Sequence, residues 1–297
     1  MKILISGASG LIGSALVPHL ELQGHTIVRL VRDRSKQGIF WDPPNGIIEL
    51  SVDAGIDAVI NLAGENIADG RWTKQKKDKI LSSRIDSTLL LARTAAAMNP
   101  RPKAFLSASG TGYYGNSRDV IVNEDSPEGT GFLADVSWDW EVSALPAHEA
   151  GIRVVYLRIS PVLSSEGGML RRLLPLFRFG LGAALGSGRQ YMSWIAISDL
   201  ITAIDHILRE ESLSGPVNMC SPNPVTNREF TKALNRVLKR PMLFRIPAFV
   251  LKAVFGEMAD EELLYSTRAV PQKLTDSGFE FKYPMIEEAL RHVLQRK

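Results

Sequence analysis

Short, fully apolar runs alternate along this chain with longer stretches whose apolar residues recur every three or four positions. The first run, residues 2–6 (KILIS), has the length and isoleucine content of a strand covered on both faces, as in a parallel sheet. Leu11, Ile12, Ala15, Leu16, His19 and Leu20 then line one face of a helix. The same alternation predicts strands at residues 25–31, 57–62, 104–108 and 154–159, and helices at 71–97 and 132–148. Residues 39–50 read as a hairpin around Pro43-Pro44-Asn45-Gly46. Strands and helices in this order imply an α/β fold, a doubly wound parallel sheet with right-handed crossovers.

Farther along the pattern loosens. Residues 167–188 are rich in glycine and leucine, carry Arg171, Arg172 and Arg178 with Arg189 just beyond, and read as a mobile segment. These arginines suit a phosphorylated or nucleotide-linked substrate, or else a solvated face. A short strand at 190–194, a helix at 198–209 and a strand at 216–219 follow. The remaining periodicity is helical, at 229–238, 248–255 and 286–294.

Between the first strand and its helix lie Gly7, Gly10 and Gly13, spaced G-x-x-G-x-x-G. Such glycines make the tight turn, admit a phosphate against the backbone and let helix and strand pack closely. The helix start then offers free N–H groups and a positive dipole end to a pyrophosphate. Residues 1–220 are therefore expected to form a Rossmann-like nucleotide-binding domain, with a substrate-side insertion near 163–195. Residues 221–297 would form a small, mostly helical C-terminal domain on the substrate side.

The second strand ends in Arg32-Asp33-Arg34-Ser35-Lys36, where this fold reads the adenosine ribose. An acidic residue there binds a 2′-hydroxyl, and an arginine suits a 2′-phosphate. Arg32 stands nearer the apolar run and has Arg34 and Lys36 behind it, which favours NADP over NAD; a solvated basic turn is the other reading. Ala63-Gly64 follows a buried strand and lets the backbone pass a cofactor at the sheet's carboxyl edge. Arg84, on the apolar half of its helix, is a candidate phosphate or ribose contact. Ser107, Ser109, Thr111, Tyr113 and Tyr114 crowd the end of another strand.

Composition narrows the partners. A formal net charge of +3 gives no ground for nucleic-acid binding. No apolar stretch reaches the length of a membrane span, and Met1 leads directly into a strand, so a cytoplasmic protein is expected. The single cysteine, Cys220, cannot form an internal disulfide and reads as a small buried hydrophobe. The five histidines show no metal-ligand spacing, so no metal is expected.

Ser6-Gly7-Ala8-Ser9-Gly10-Leu11-Ile12-Gly13, Asn61-Leu62-Ala63-Gly64, Ser107-Ala108-Ser109, Tyr114-Gly115 and the segment Trp194 to Leu200 resemble an extended short-chain dehydrogenase/reductase. Gly64-Glu65-Asn66-Ile67, Ser82-Ser83-Arg84, Gly186-Ser187-Gly188 and Val270-Pro271-Gln272-Lys273-Leu274 are similar to its atypical YfcH-type epimerase family, related to sugar-nucleotide epimerases. The resemblance spans nearly the whole chain. It implies an NADP site made by the Gly7 to Gly13 loop (with Ser9, Leu11 and Ile12), Arg32, Leu62, Ala63, Arg84 and Val162.

The superfamily's Tyr-x-x-x-Lys pair is missing. Four residues after Tyr113, Tyr114, Tyr156, Tyr191, Tyr265 and Tyr283 come Ser117, Arg118, Ser160, Ile195, Ala269 and Glu287. Aligning Glu141 with the acidic residue that usually follows the lysine puts Leu133 and Ser137 in the pair's places. The expected function is an NADP-dependent oxidoreductase or epimerase-like enzyme on a small-molecule substrate, with Tyr114 as acid or base and Ser109 or Thr111 polarising a carbonyl. Tyr114 serves equally well as a wedge under the nicotinamide. A non-catalytic NADP-binding sensor or scaffold is the alternative.

Overall fold

The computed structural model describes residues 1–242 and 244–295. Its centre is an eight-stranded sheet made of β1 (Lys2–Ser6), β2 (Thr26–Val31), β3 (Ile39–Asp42), β4 (Ile47–Ile48), β5 (Ala58–Asn61), β6 (Ala104–Gly110), β8 (Arg153–Ile159) and β13 (Gly215–Met219). The strand order is β13-β8-β6-β5-β1-β2-β3-β4. Every pairing is parallel except the β3–β4 hairpin. The chain winds outward from β1 one way through β2 and the other way through β5, so the order reverses between β1 and β5. That switch opens a crevice at the carboxyl ends of the strands, where ligands bind in such sheets.

Helices cover both faces, which is why the strand sequences are apolar throughout. Leu16, Val17 and Leu20 of α1 (Leu11–Leu22) and Leu200, Ile204 and Ile207 of α6 (Ile197–Arg209) bury one face over Ile3, Ile5 and Ile60. Leu91, Ala92 and Ala95 of α2 (Lys74–Ala97) and Ala147 of α4 (Leu145–Glu149) cover Leu4, Val59 and Phe105 on the other. Beside α4, α3 (Phe132–Val142) packs near the carboxyl end of β6.

The rest of the chain builds on the carboxyl side. Short strands β7 (Ile121–Val122), β9 (Val162–Leu163), β10 (Ala183–Leu185), β11 (Tyr191–Met192), β12 (Ile195–Ala196), β14 (Val225–Thr226), β15 (Phe244–Ile246) and β16 (Arg268–Ala269) pair in twos. With them come α5 (Gly168–Arg178), α7 (Asn227–Val237), α8 (Ala248–Phe255), α9 (Gln272–Asp276) and α10 (Ile286–Gln295). Leu170, Leu174 and Phe177 of α5 join Trp194, Phe230 and Leu290 in a third core.

The expectation of a mobile segment at 167–188 is corrected: α5 occupies half of it. Leu170, Leu174 and Phe177 recur at helical spacing and are buried, so packing orders the segment. Its arginines do not gather around one point. Arg171 donates to the Glu166 carbonyl, whereas Arg172 bonds to the Ala68 carbonyl and pairs with Asp69.

Cys220 is fully buried, donates weakly to the Ala269 carbonyl, and has its thiol pushed well up by burial, which suits a packing role. Among the described residues no helix is long and apolar enough to cross a membrane.

Candidate functional site

The glycine loop at the β1–α1 junction is fixed by close approach. Gly7 has φ +69°, and a Cβ there would lie 2.7 Å from the Leu62 carbonyl oxygen. A Cβ on Gly13 would lie 2.2 Å from the Gly7 oxygen. Both positions therefore require glycine, so that β1, α1 and the end of β5 can meet. Ser9 and Gly10 stay exposed at the top, and no side chain caps the first turn of α1. Leu11 and Ile12 are half-buried, with Leu11 against the Gly167-Gly168 start of α5. The free end of α1 faces the crevice with its N–H groups unclaimed by any side chain.

Beneath this loop runs a buried polar ladder. Ser6 Oγ donates to Asn61 Oδ1 at 2.6 Å, Asn61 Nδ2 donates to Thr88 Oγ1 at 2.7 Å, and Trp140 Nε1 donates to the same hydroxyl at 2.9 Å. Ser6 Oγ also accepts from the Leu62 and Ala63 N–H groups. The ladder fixes the backbone where β5 ends, so Leu62, Ala63 and Gly64 leave the sheet along one defined path. Ser6 and Asn61 stand in the motifs quoted above, but nothing along the chain joins them to Thr88 and Trp140, which look like ordinary helix residues.

At the end of β2, Arg32 is exposed, with no hydrogen bond or ion pair among the described residues. Its neighbours are engaged. Asp33 accepts from the Ser35 N–H and hydroxyl at 3.0 and 2.8 Å, while Arg34 pairs with Glu49 and lies 3.8 Å over the Phe40 ring. Arg84 lies beside Gly64, donates to the Glu65 and Ile80 carbonyls, and sits 4.8 Å from the Trp140 ring. Burial lowers its pKa to about 10, with Glu65 and Glu262 opposing the shift. Val162, half-buried in β9, pairs with Ile195.

The residues at the end of β6 enter a second network that crosses three strands. Ser109, Arg158 and Asn218 are register partners on β6, β8 and β13. Arg158 Nε and Nη2 bind Glu141 of α3 at 2.8 and 2.9 Å, and Ser109 Oγ donates to the same carboxylate at 2.8 Å. Tyr114, 3 % exposed, donates to Asn218 Oδ1 at 2.7 Å and accepts from Arg158 Nη1 at 3.0 Å. Thr111 is buried and accepts from Ser160 at 3.4 Å, and Ser107 is fully buried with a bond to the Ala108 carbonyl. Burial drives the Tyr114 phenol above its ordinary value despite Arg158 beside it, so the hydroxyl stays protonated at neutral pH. Burial works against the Arg158 charge, but the Glu141 carboxylate more than offsets it and raises the guanidinium pKa.

Tyr114→Phe should cost about 1–3 kcal/mol of stability, the penalty for leaving Asn218 and Arg158 short of a partner. Ultraviolet titration of the wild type should show at least one tyrosine that ionises only when the protein unfolds, since burial pushes up the phenols of both Tyr114 and Tyr156. A full set of tyrosines titrating near their ordinary value in the folded protein would contradict this placement.

In α3, Leu133 and Ser137 line the wall beside the end of β6. A Cβ on Gly112 would lie 3.1 Å from Leu133 Cβ, and one on Gly110 3.8 Å from Ser137 Oγ. Among the described residues no group of three or more His, Cys, Asp or Glu is arranged to hold a metal ion.

The model of the NAD dependent epimerase/dehydratase family matches residues 3–220. The chain belongs to that family. A second model, a domain of unknown function, DUF1731, matches residues 246–293. Epimerase family protein Mb2239 of Mycobacterium bovis is 45% identical over 296 residues, covering 99% of this chain and 98% of that protein. Human epimerase family protein SDR39U1 is 33% identical over 300 residues, covering 99% of this chain and all of the human one. The crystal structure of human SDR39U1 (isoform 2) with NADPH superposes with a TM-score of 0.93 at 32% identity, each chain covered completely. A UDP-N-acetylglucosamine 4-epimerase from Bacillus cereus shares the fold, with a TM-score of 0.76 at 18% identity. In this epimerase family member the glycine loop lies at the end of β1, beside the switch point between β1 and β5, and Arg32 follows the end of β2.

Proposed function

We propose that the chain is an NADP(H)-dependent oxidoreductase or epimerase-like enzyme acting on a small-molecule substrate without a tyrosine–lysine pair. The observation that carries the cofactor reading is Arg32: an arginine with no partner among the described residues, at the ribose end of β2, beside an aspartate already engaged by Ser35. The human relative crystallised with NADPH supports it. Bound there, NADP(H) would supply or accept a hydride.

In this reading Gly7, Ser9, Gly10, Leu11, Ile12 and Gly13 hold the pyrophosphate on backbone N–H groups, and Arg32 takes the 2′-phosphate. Leu62, Ala63 and Gly64 give the cofactor its path along the end of β5, and Arg84, Ser107 and Val162 flank it. Of the three hydroxyls at the end of β6, Thr111 accepts from Ser160 and so retains its own proton for a ligand carbonyl. Ser109 and Tyr114 have theirs committed to Glu141 and Asn218, and support the wall behind it. Those commitments are also what favours the second reading, a non-catalytic NADP-binding sensor.

Calorimetric titration with NADPH, followed by hydride transfer from 4-deuterated NADPH to a panel of aldehydes, diketones and keto sugars, separates the two. Binding with deuterium transfer supports the enzyme. Binding without transfer supports the sensor, and no binding rejects both.

A further inference from the structure

Two segments meet across the mouth of the crevice between β1 and β5. From the β1 side comes the first turn of α5. A Cβ on Gly167 would lie 3.0 Å from Leu11 Cδ1, and one on Gly168 3.2 Å from Leu11 Cδ2, so this turn sits against the start of α1. Leu170, Leu174 and Phe177 are buried in the third core and hold α5 in place. From the β5 side comes the loop at residues 64–72. Arg172 Nη1 donates to the Ala68 carbonyl of that loop at 2.6 Å, and Nη2 pairs with Asp69. One side chain therefore joins the two sides of the switch point.

The loop is firm at its two ends. The Glu65 N–H donates to Ser83 Oγ at 3.0 Å, and the Glu65 carboxylate pairs with Lys76 and Lys79. At the other end Trp72 is buried, donates from Nε1 to the Ile67 carbonyl at 2.8 Å and meets the Phe132 ring edge-on. Phe132 opens α3, and Glu261 accepts from its N–H and that of Leu133, both at 2.8 Å. Between these anchors lies a tip, residues 68–70, which turns through Gly70 at φ +82° with open space around it. The Ala68 N–H bonds within the loop, to Asn66. Among the described residues, Arg172 makes the only hydrogen bond or ion pair between this tip and the rest of the protein.

We propose that Arg172 and the tip at residues 68–70 form a latch over the dinucleotide, opening to admit it and to release it. This rests on the NADP(H)-binding reading above, which the enzyme and the sensor share. In that reading the pyrophosphate lies on the glycine loop and the cofactor continues along the end of β5. It passes between the two sides that Arg172 joins. The strength of the contact suits repeated opening. The Arg172 and Asp69 side chains are 50% and 56% exposed, and an ion pair in water is weak and screened by salt. A latch also differs from a grip in its kinetics. A residue that grips the ligand slows release alone, whereas one that closes the crevice slows entry and release alike.

Stopped-flow mixing with NADPH, followed by its fluorescence, reads both rates in wild type, Arg172→Ala and Asp69→Asn. Arg172→Ala should speed association and dissociation each by about 3- to 20-fold, through loss of one exposed ion pair and one charge-assisted hydrogen bond. The dissociation constant should stay within about threefold. Asp69→Asn should move both rates the same way by a smaller factor, since the Ala68 carbonyl keeps its donor. Arg171→Ala controls for net charge, because Arg171 reaches only the Glu166 carbonyl among the described residues. Loss of a cation by itself slows the arrival of an anionic ligand, so faster association in Arg172→Ala and not in Arg171→Ala marks the latch. Salt at about 1 M should narrow the gap between wild type and Arg172→Ala. Faster dissociation with unchanged or slower association makes Arg172 a cofactor contact and overturns the latch. Both rates within about twofold of wild type overturn it too. If wild type binds no NADPH, the cofactor reading itself fails and this proposal with it.

Discussion

Replacing Arg32 with alanine is expected to weaken NADPH binding by about 10- to 150-fold and to leave NADH unmoved. The guanidinium stands at the end of β2, where the adenosine ribose falls in this fold, and it has no protein partner among the described residues. A 2′-phosphate there accepts charge-assisted hydrogen bonds worth about 1.5–3 kcal/mol, which gives that range of affinities. NADH presents no 2′-phosphate to lose. Asp33 makes the opposite forecast, but its carboxylate is held by Ser35, and that hydrogen bonding keeps its pKa below the usual carboxylate value. Calorimetry with both cofactors on wild type, Arg32→Ala and Asp33→Ala distinguishes the residues. Equal wild-type affinity for NADH and NADPH would remove Arg32 from the site.

Glu141→Ala should lower the free energy of unfolding by about 3–5 kcal/mol, the cost of leaving one partner of a buried ion pair uncompensated. The side chains of Arg158 and Glu141 are 4% and 9% exposed and meet through two parallel hydrogen bonds. Without the carboxylate, the Arg158 charge stays inside the sheet and Ser109 loses its acceptor. The double variant Glu141→Leu/Arg158→Met should recover most of the loss, because apolar replacements for a buried pair are often neutral or better. Urea unfolding reads both effects as shifts in midpoint at constant slope. If Glu141→Ala costs less than about 1 kcal/mol, water reaches the pair and the network is weaker than its geometry implies.

The sheet and the glycine loop were legible because their signals are local. KILIS followed by glycines and an apolar helix face needs no distant partner to be interpreted, and Arg32 could be placed by counting from the end of a strand. The segment around α5 was misread for a local reason too: flanking glycines suggested a loop, although Leu170, Leu174 and Phe177 already stood at helical spacing. The network behind Ser109 was not legible at all. It depends on parallel register setting Ser109, Arg158 and Asn218 side by side on three strands, and no spacing along the chain encodes that adjacency. Glu261 was hidden in the same way, since its carboxylate ends at a helix start far back in the chain.

The bond from Glu261 to α3 also orders events during synthesis. Phe132 and Glu261 are 129 residues apart, so α3 leaves the ribosome long before its cap exists. Until then the start of α3 has solvent or transient partners for its N–H groups, and the wall of the cleft lacks its fixed support. The strands nearest β1 can assemble early from short-range pairings, while the substrate side waits for a contact of high sequence separation. A nascent chain halted before residue 261 would thus carry the strands on either side of the β1–β5 crevice while the start of α3 still lacked the carboxylate that holds it.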